Sequence, residues 1–173
     1  GNILVSTMGS NSIYQISIED LVAKPLISFK GWLDELIVLN QKLYACNRTN
    51  NTVEVFDLLV NNHVASIYVG KDPESISRGV NQELMVLCSG GYNVNDREKA
   101  SIIKIENDIP SQIFEMDDIE NSPSRIRYST VAKCWYYINQ GIMKLNMDYS
   151  SQKIISQSKG EIFYGLNINP TDG

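Results

Sequence analysis

Histidine occurs once in this sequence, at His63, and cysteine three times, at Cys46, Cys88 and Cys134. So little imidazole leaves no histidine cluster for zinc and no Ser-His or Cys-His pair for nucleophilic hydrolysis. No Gly-x-Ser-x-Gly elbow is present. An odd count of thiols does not make a disulfide framework, and each cysteine falls in a strand-like run, so all three read as small buried apolar residues. Basic residues are outnumbered, 15 Lys and Arg against 20 Asp and Glu, and they are scattered. A nucleic-acid partner needs a positive surface that displaces counterions, so that class is excluded. No apolar run approaches the ~18–20 residues that cross a bilayer, no basic and apolar leader opens the chain, and no stretch carries a helical 3.6-residue stripe.

What the sequence does hold is a repeat. Ser12-Ile13-Tyr14-Gln15-Ile16 returns as Thr52-Val53-Glu54-Val55-Phe56, as Ser101-Ile102-Ile103-Lys104-Ile105 and as Gly141-Ile142-Met143-Lys144-Leu145, at offsets of 40, 49 and 40 residues. These are the third strands of four units, near 12–18, 52–58, 101–106 and 141–147. Second strands precede them at Ile3–Thr7, Leu43–Asn47, Leu84–Cys88 and Trp135–Asn139. Fourth strands follow at Pro25–Phe29, Val64–Val69, Gln112–Met116 and Lys153–Ser156. First strands of the next unit come at Leu36–Leu39, Ser75–Ser77, Arg125–Tyr128 and Tyr164–Ile168.

The positions of Val53 and Phe56 are apolar in every copy, yet residues three apart point to opposite faces of a strand. Both faces of each sheet must therefore be covered, as they are when sheets stack side by side. Short strands, Asn-rich turns and a period of some 40 residues predict an all-β fold, a β-propeller of four-stranded antiparallel blades with about four blades in a single domain over residues 1–173. The register opens at a second strand and stops at a first strand before an Asn169–Gly173 turn. The expectation is a piece of a larger ring; pairing of the two ends into a closed ring is the alternative.

Tyr68-Val69-Gly70-Lys71-Asp72-Pro73-Glu74-Ser75-Ile76 resembles the Val-Gly-x-x-Pro-x-x-Ile corner of YncE-like, YVTN-type propeller repeats. Cys88-Ser89-Gly90-Gly91-Tyr92, Asn121-Ser122-Pro123-Ser124-Arg125-Ile126, Tyr137-Ile138-Asn139 and Phe163–Pro170 follow in an order similar to the C-terminal half of the YncE-like surface lipoproteins of Bacteroidetes. The resemblance covers most of residues 34–173. It implies a seven-bladed ring, a lipid anchor outside this chain, a place at the outer-membrane surface or in the periplasm, and a TonB-dependent outer-membrane transporter as partner. Some members of that group capture cobalamin. The chain is shorter than the family by about three blades.

In a propeller the loops from second to third strands, and from fourth strands to the next first strand, gather on one face around the central channel. The candidate ligand residues on that face are Trp32, Arg48, Glu74, Tyr92, Arg125, Asn139 and Tyr164. Rings supply area and the amide and guanidinium groups fix orientation, which suits a large polar ligand with flat parts, cobalamin or another. The longest loop, Gly90–Lys99, accounts for the enlarged interval. Its glycines do not make a phosphate loop, since no Gly-Lys-Ser/Thr follows.

No catalytic residues, cofactor or metal site emerge. Asp117, Asp118 and Glu120 lack the alternating ligands and glycine of a calcium loop and read as a solvated acidic turn. His63 falls in a turn on the opposite side, structural or merely exposed. Asn47-Arg48-Thr49 and Asn50-Asn51-Thr52 match the N-glycosylation pattern, one that Asn-rich turns produce by chance. The expected function is non-enzymatic capture of a ligand at the cell surface; the alternative is a propeller scaffold for protein partners with no small ligand.

Overall fold

The computed structural model describes residues 1–7, 11–169 and 171. Val, Ile, Tyr and Phe dominate the runs between Asn, Gly and Asp turns, and those runs form fifteen strands among the described residues. The first sheet is β1 (Asn2–Thr7), β2 (Ser12–Ser17) and β3 (Ala23–Ser28). The second is β4 (Leu33–Leu39), β5 (Lys42–Asn47), β6 (Thr52–Asp57) and β7 (Asn62–Tyr68). The third is β8 (Pro73–Arg78), β9 (Leu84–Cys88), β10 (Ser101–Glu106) and β11 (Ile109–Glu115). The fourth is β12 (Ser124–Ser129), β13 (Cys134–Ile138), β14 (Gly141–Leu145) and β15 (Ser151–Ser156).

Each sheet is an antiparallel meander in chain order, three-stranded in the first blade and four-stranded in the other three. The expected strand order therefore holds. One strand does not: Tyr164–Ile168 forms no strand and pairs with none. Its apolar alternation reads as a strand, but a strand needs a neighbour's backbone, and neither β1 nor any other described segment supplies one. Asn167 and Ile168 instead lie near Arg127 and Tyr128 of β12. Of the expected Asn169–Gly173 turn, Pro170, Asp172 and Gly173 lie outside the described residues.

The same irregularity marks every blade. Between third and fourth strands the register slips at Ile13/Tyr14, Val55/Phe56, Ile102/Ile103 and Ile142/Met143. One extra residue on the outer strand bends it and increases its twist. First strands carry a second bulge, at Leu33/Leu36, Pro73/Ser75 and Ser124/Arg127, near the end where the candidate residues gather.

The core is three layers, one per blade interface. Ile13, Ile27, Leu43 and Phe56 fill the first. Val53, Val55, Val86 and Ile105 belong to the second, with Cys46 and Cys88. Met85, Leu87, Ile102, Trp135 and Tyr137 make the third. Within β9, Leu84, Val86 and Cys88 face one neighbour while Met85 and Leu87 face the other. All three cysteines are free and buried, as their strand positions imply, and burial pushes the Cys88 thiol up to about 12.

Polar groups tie the inner strands together as well. β8 packs between β4 and β12. Glu35 of β4 accepts from the Ser75 hydroxyl at 2.6 Å and from the Ile76 amide at 3.0 Å, and pairs with Arg127 Nη2 at 2.7 Å. Ser75 in turn accepts the Ile126 amide at 3.0 Å. Three consecutive blades thus share one carboxylate, one hydroxyl and one guanidinium along their first strands.

Candidate functional site

The chain turns at Asn11, Gly31, Asn51, Gly70 and Gly90 on one end of the blades, called here the upper face. Arg48 leaves the end of β5 on this face with a side chain only 9% exposed. Its guanidinium donates to Asp72 through Nε to Oδ1 at 2.6 Å and Nη2 to Oδ2 at 2.8 Å, and Nη1 reaches Asp34 Oδ2 at 3.1 Å. Asp72 is fixed from behind by the Ser89 hydroxyl at 2.6 Å, and its amide donates to Asn51 at 3.0 Å. Burial works against the charge on Arg48, but the hydrogen bonds and charge of Asp72 more than offset it and hold the guanidinium above its usual range.

The same guanidinium lies 4.5 Å from the Trp32 ring centre and 5.3 Å from that of Tyr92. A cation over a ring face is attracted by the ring's quadrupole. Trp32 is set at the entry to β4 by its backbone, which donates to Thr49 Oγ1 at 3.0 Å and accepts the Arg48 amide at 3.0 Å. Tyr92 sits at the start of the long β9–β10 loop and donates its hydroxyl to Glu74 Oε2 at 3.2 Å. Burial raises the Glu74 carboxyl, a push that the Arg48 charge partly opposes, and burial with the nearby Glu74 charge raises the Tyr92 phenol. Arg125 contributes charge toward Glu74, and its guanidinium carbon is 6.0 Å from the Tyr164 ring centre.

Trp32, Arg48, Tyr92 and Glu74 are therefore joined by direct contacts on the upper face, while Arg125 and Tyr164 meet each other and relate to that group through the charge of Arg125 on Glu74. Asn139 is apart from them. Its amide nitrogen donates to Asn121 Oδ1 at 2.8 Å, which places it in the support of the β11–β12 loop. Between Trp32 and Tyr92 a cleft of about 220 Å³ opens, floored by Arg48 and flanked by Asn51, Lys71 and Asn93. Because Arg48 is paired with two carboxylates, its charge is not free for an anion. Its work is to hold two rings, 40% and 57% exposed, in fixed positions facing solvent.

The β9–β10 loop has its own closure. Glu98 donates its amide to the Gly90 carbonyl at 2.8 Å, and Lys71 Nζ pairs with Asp96 at 2.5 Å. Arg97 pairs with Glu120 at 2.7 Å, so the acidic turn is engaged in holding loops together. Among the described residues no three His, Cys, Asp or Glu side chains are grouped as a metal ion would need.

Asp34, Asp72 and the Glu35–Ser75–Arg127 network were not singled out in the sequence; Asp34 and Glu35 fall in the bulge of β4, which no residue pattern announces. A second unforeseen cluster lies in the blade itself. Glu54, 1% exposed in its side chain, accepts from Asn47 at 2.9 Å, Thr52 at 2.5 Å and Ser66 at 2.5 Å, with His63 Nε2 at 2.8 Å. His63 thus belongs to β7 and not to the preceding turn, and Asn47 is too buried to accept a glycan.

No protein-family model matches the chain, and no curated protein matches it. Solved structures do. A streptogramin B lyase structure superposes with a TM-score of 0.72 at 12% identity, over 88% of this chain and 50% of that one. The nidogen/laminin complex gives 0.72 at 10% identity, over 92% of this chain and 65% of its own. A gluconolactonase from Xanthomonas campestris gives 0.68 at 12% identity, over 88% and 58%. At such identities the likeness carries the fold alone. The chain is built as successive blades of a β-propeller, and it spans half to two-thirds of the length of these three structures.

Proposed function

We propose that the chain is a non-enzymatic ligand-capture module that holds a polar ligand with flat parts on its upper face. The observation that supports this most is the Trp32–Arg48–Tyr92 stack: two exposed rings held by a buried, doubly paired guanidinium. Rings positioned before binding lose little freedom on binding, which is the main cost such a site must overcome. Some of the YncE-like surface lipoproteins that the sequence resembles capture cobalamin, which makes cobalamin, or another large polar ligand, the candidate, taken up at the outer-membrane surface beside a TonB-dependent transporter. A cleft of about 220 Å³ seats one edge or side group of so large a molecule, leaving the rest to lie over Tyr92, Arg125 and Tyr164. Spectral titration of the full-length protein with cobalamin tests the reading. Saturable binding that weakens by about tenfold or more in Trp32→Ala and Tyr92→Ala supports it, the loss of a ring contact being worth ~1–2 kcal/mol. Absence of saturable binding sinks it.

A second reading, a scaffold for a protein partner, draws support from the β9–β10 loop. That loop presents Val94 at 78% exposure beside Tyr92 at 57%. Exposed apolar and aromatic side chains on a propped loop suit a protein surface as well as a small ligand. A partner captured by the wild type and lost in both Tyr92→Ala and Val94→Ser, with no cobalamin binding, favours it.

A further inference from the structure

The end of the blades opposite the Trp32–Arg48–Tyr92 cluster carries a cleft of its own. It lies between the second and third blades, with a volume of about 410 Å³. That falls within the roughly 300–1,000 Å³ typical of small-ligand sites. Three turns reach it: residues 40–41 between β4 and β5, 79–83 between β8 and β9, and 107–108 between β10 and β11.

Leu39 and Leu84, 7% and 2% exposed, give the cleft a narrow apolar base, and Asn40, Gln82 and Asn107 line it together with the carboxylates of Glu83, Glu106 and Asp108. The walls are tied across the blades. Asn40 donates its amide to Gln82 Oε1 at 2.8 Å, Lys42 Nζ pairs with Asp108 Oδ2 at 2.5 Å, and the Tyr44 hydroxyl donates to Asp108 Oδ1 at 2.7 Å. Asn107 and Asp108 have φ of 53° and 63°, and Asn40 and Gln41 have φ of 50° and 63°. Two-residue turns of this kind favour glycine at their second position. Here that position carries Asp108, whose carboxylate fixes Lys42 and Tyr44 in the wall, so a side chain is kept where glycine would relax the backbone.

The chemistry of the cleft selects its ligand. Lys42 is neutralised by Asp108, and the other charged groups of the lining are carboxylates, Glu83, which accepts the Asn81 amide, and Glu106, which pairs with Lys104, so no free positive charge draws a phosphate or carboxylate. Amides present a donor and an acceptor side by side, and a hydroxyl is both at once. The narrow apolar base suits the C–H edge of a ring. We propose that this lower cleft binds a neutral sugar, its hydroxyls held by Asn40, Gln82 and Asn107 and its ring edge laid against Leu39 and Leu84. The site is separate from the upper face and does not depend on what binds there.

The test is amide-resolved NMR of the full chain, titrated separately with glucose, galactose, mannose and N-acetylglucosamine to roughly 50 mM, a range that fills even a site of ~1 mM dissociation constant. The expected result is saturable shifts of the Asn40, Gln82 and Asn107 side-chain amides with at least one sugar. Affinity should fall about tenfold or more in Gln82→Ala and in Asn107→Gly, each of which removes hydrogen bonds to the ligand. Asn107→Gly accepts the positive φ without strain, so an unchanged spectrum elsewhere shows that the turn is intact. No saturable shift with any of the four sugars overturns the proposal. So do shifts confined to Trp32 and Tyr92, unaltered affinity in both variants, or cleft shifts with inorganic phosphate and none with sugar.

Discussion

Arg48 holds Asp72 by two parallel hydrogen bonds, Nε to Oδ1 at 2.6 Å and Nη2 to Oδ2 at 2.8 Å, with side chains 9% and 12% exposed. The pair joins the end of β5 to the entry of β8, and so one blade to the next. Lysine cannot reproduce the planar fork, and removing one member leaves the other charge buried and under-compensated. Arg48→Lys and Asp72→Asn should each lower the urea-unfolding free energy by about 2–4 kcal/mol. A loss below about 0.5 kcal/mol, the scale of an ordinary surface change, would mean the pair does not hold the blades.

Glu54 should govern the acid limb of stability. Burial opposes its charge, but the hydrogen bonds of Ser66, Thr52, Asn47 and His63 outweigh that and hold its carboxyl below the usual 4.5. A folded-state value below the unfolded one means that the contribution is fully present above pH 4.5 and fades as pH falls through the folded value. Glu54→Gln sets an amide NH2 against hydroxyl and amide donors, and should cost about 2–4 kcal/mol at pH 7. The difference from wild type should shrink as pH drops below 4.5. Urea midpoints over a pH series check both; a pH-independent difference contradicts the assignment.

That cluster also shows where reading the sequence stops. Strand runs were legible because Val53, Phe56, Ile102 and Ile105 repeat a pattern covered on both faces, and all four are buried. Gathering of Trp32, Arg48, Tyr92 and Glu74 followed from which loops share an end. His63 and Ser66 are three apart, so a regular strand would point them to opposite faces. The bulge opposite Val55/Phe56 adds one residue and turns both toward Glu54. Nothing in the run Asn62–Tyr68 announces that slip. Tyr164–Ile168 failed for the converse reason: its alternation is strand-like, while its pairing depends on a neighbour that local pattern does not encode.

Glu74 should behave oppositely to Glu54. Burial raises its carboxyl above 4.5 despite the Arg48 charge and the Tyr92 hydrogen bond. The folded protein then binds the proton more tightly than the unfolded chain, so stability declines as pH rises from 4.5 through the folded value. Glu74→Gln keeps an acceptor for Tyr92 and removes that decline. It should match wild type in acid and exceed it at neutral pH, as read from thermal midpoints. A variant weaker than wild type at pH 7 would show instead that the carboxylate is held by Arg48 and Arg125 beyond its desolvation cost.

Gly90 sets the root of the β9–β10 loop. It has φ of 82°, and a Cβ there would fall 2.2 Å from the Glu98 carbonyl oxygen. Both backbone conformation and space therefore require glycine. Gly90→Ala should cost about 2–3 kcal/mol, chiefly through this close approach, and should displace Tyr92 from Arg48. Faster amide exchange at Glu98, whose amide donates to the Gly90 carbonyl, would register the loosening. Wild-type protection at Glu98 would contradict it.

The two tryptophans separate the upper face from the core. Trp32 is 40% exposed and lies over Arg48, whereas Trp135 is 0% exposed between the third and fourth blades. Iodide reaches only a ring in contact with solvent, so quenching should be confined to Trp32. Trp32→Phe should abolish it and leave the blue-shifted emission of Trp135, whose Nε1 has no hydrogen-bond partner among the described residues. A ligand seated between Trp32 and Tyr92 shields the same ring, and the quenching constant should fall in proportion to occupancy. Ligand in the lower cleft, on the far end of the blades, should leave it unchanged. Quenching that survives Trp32→Phe would mean that solvent reaches Trp135, and that the packing between the third and fourth blades opens on the timescale of the quencher.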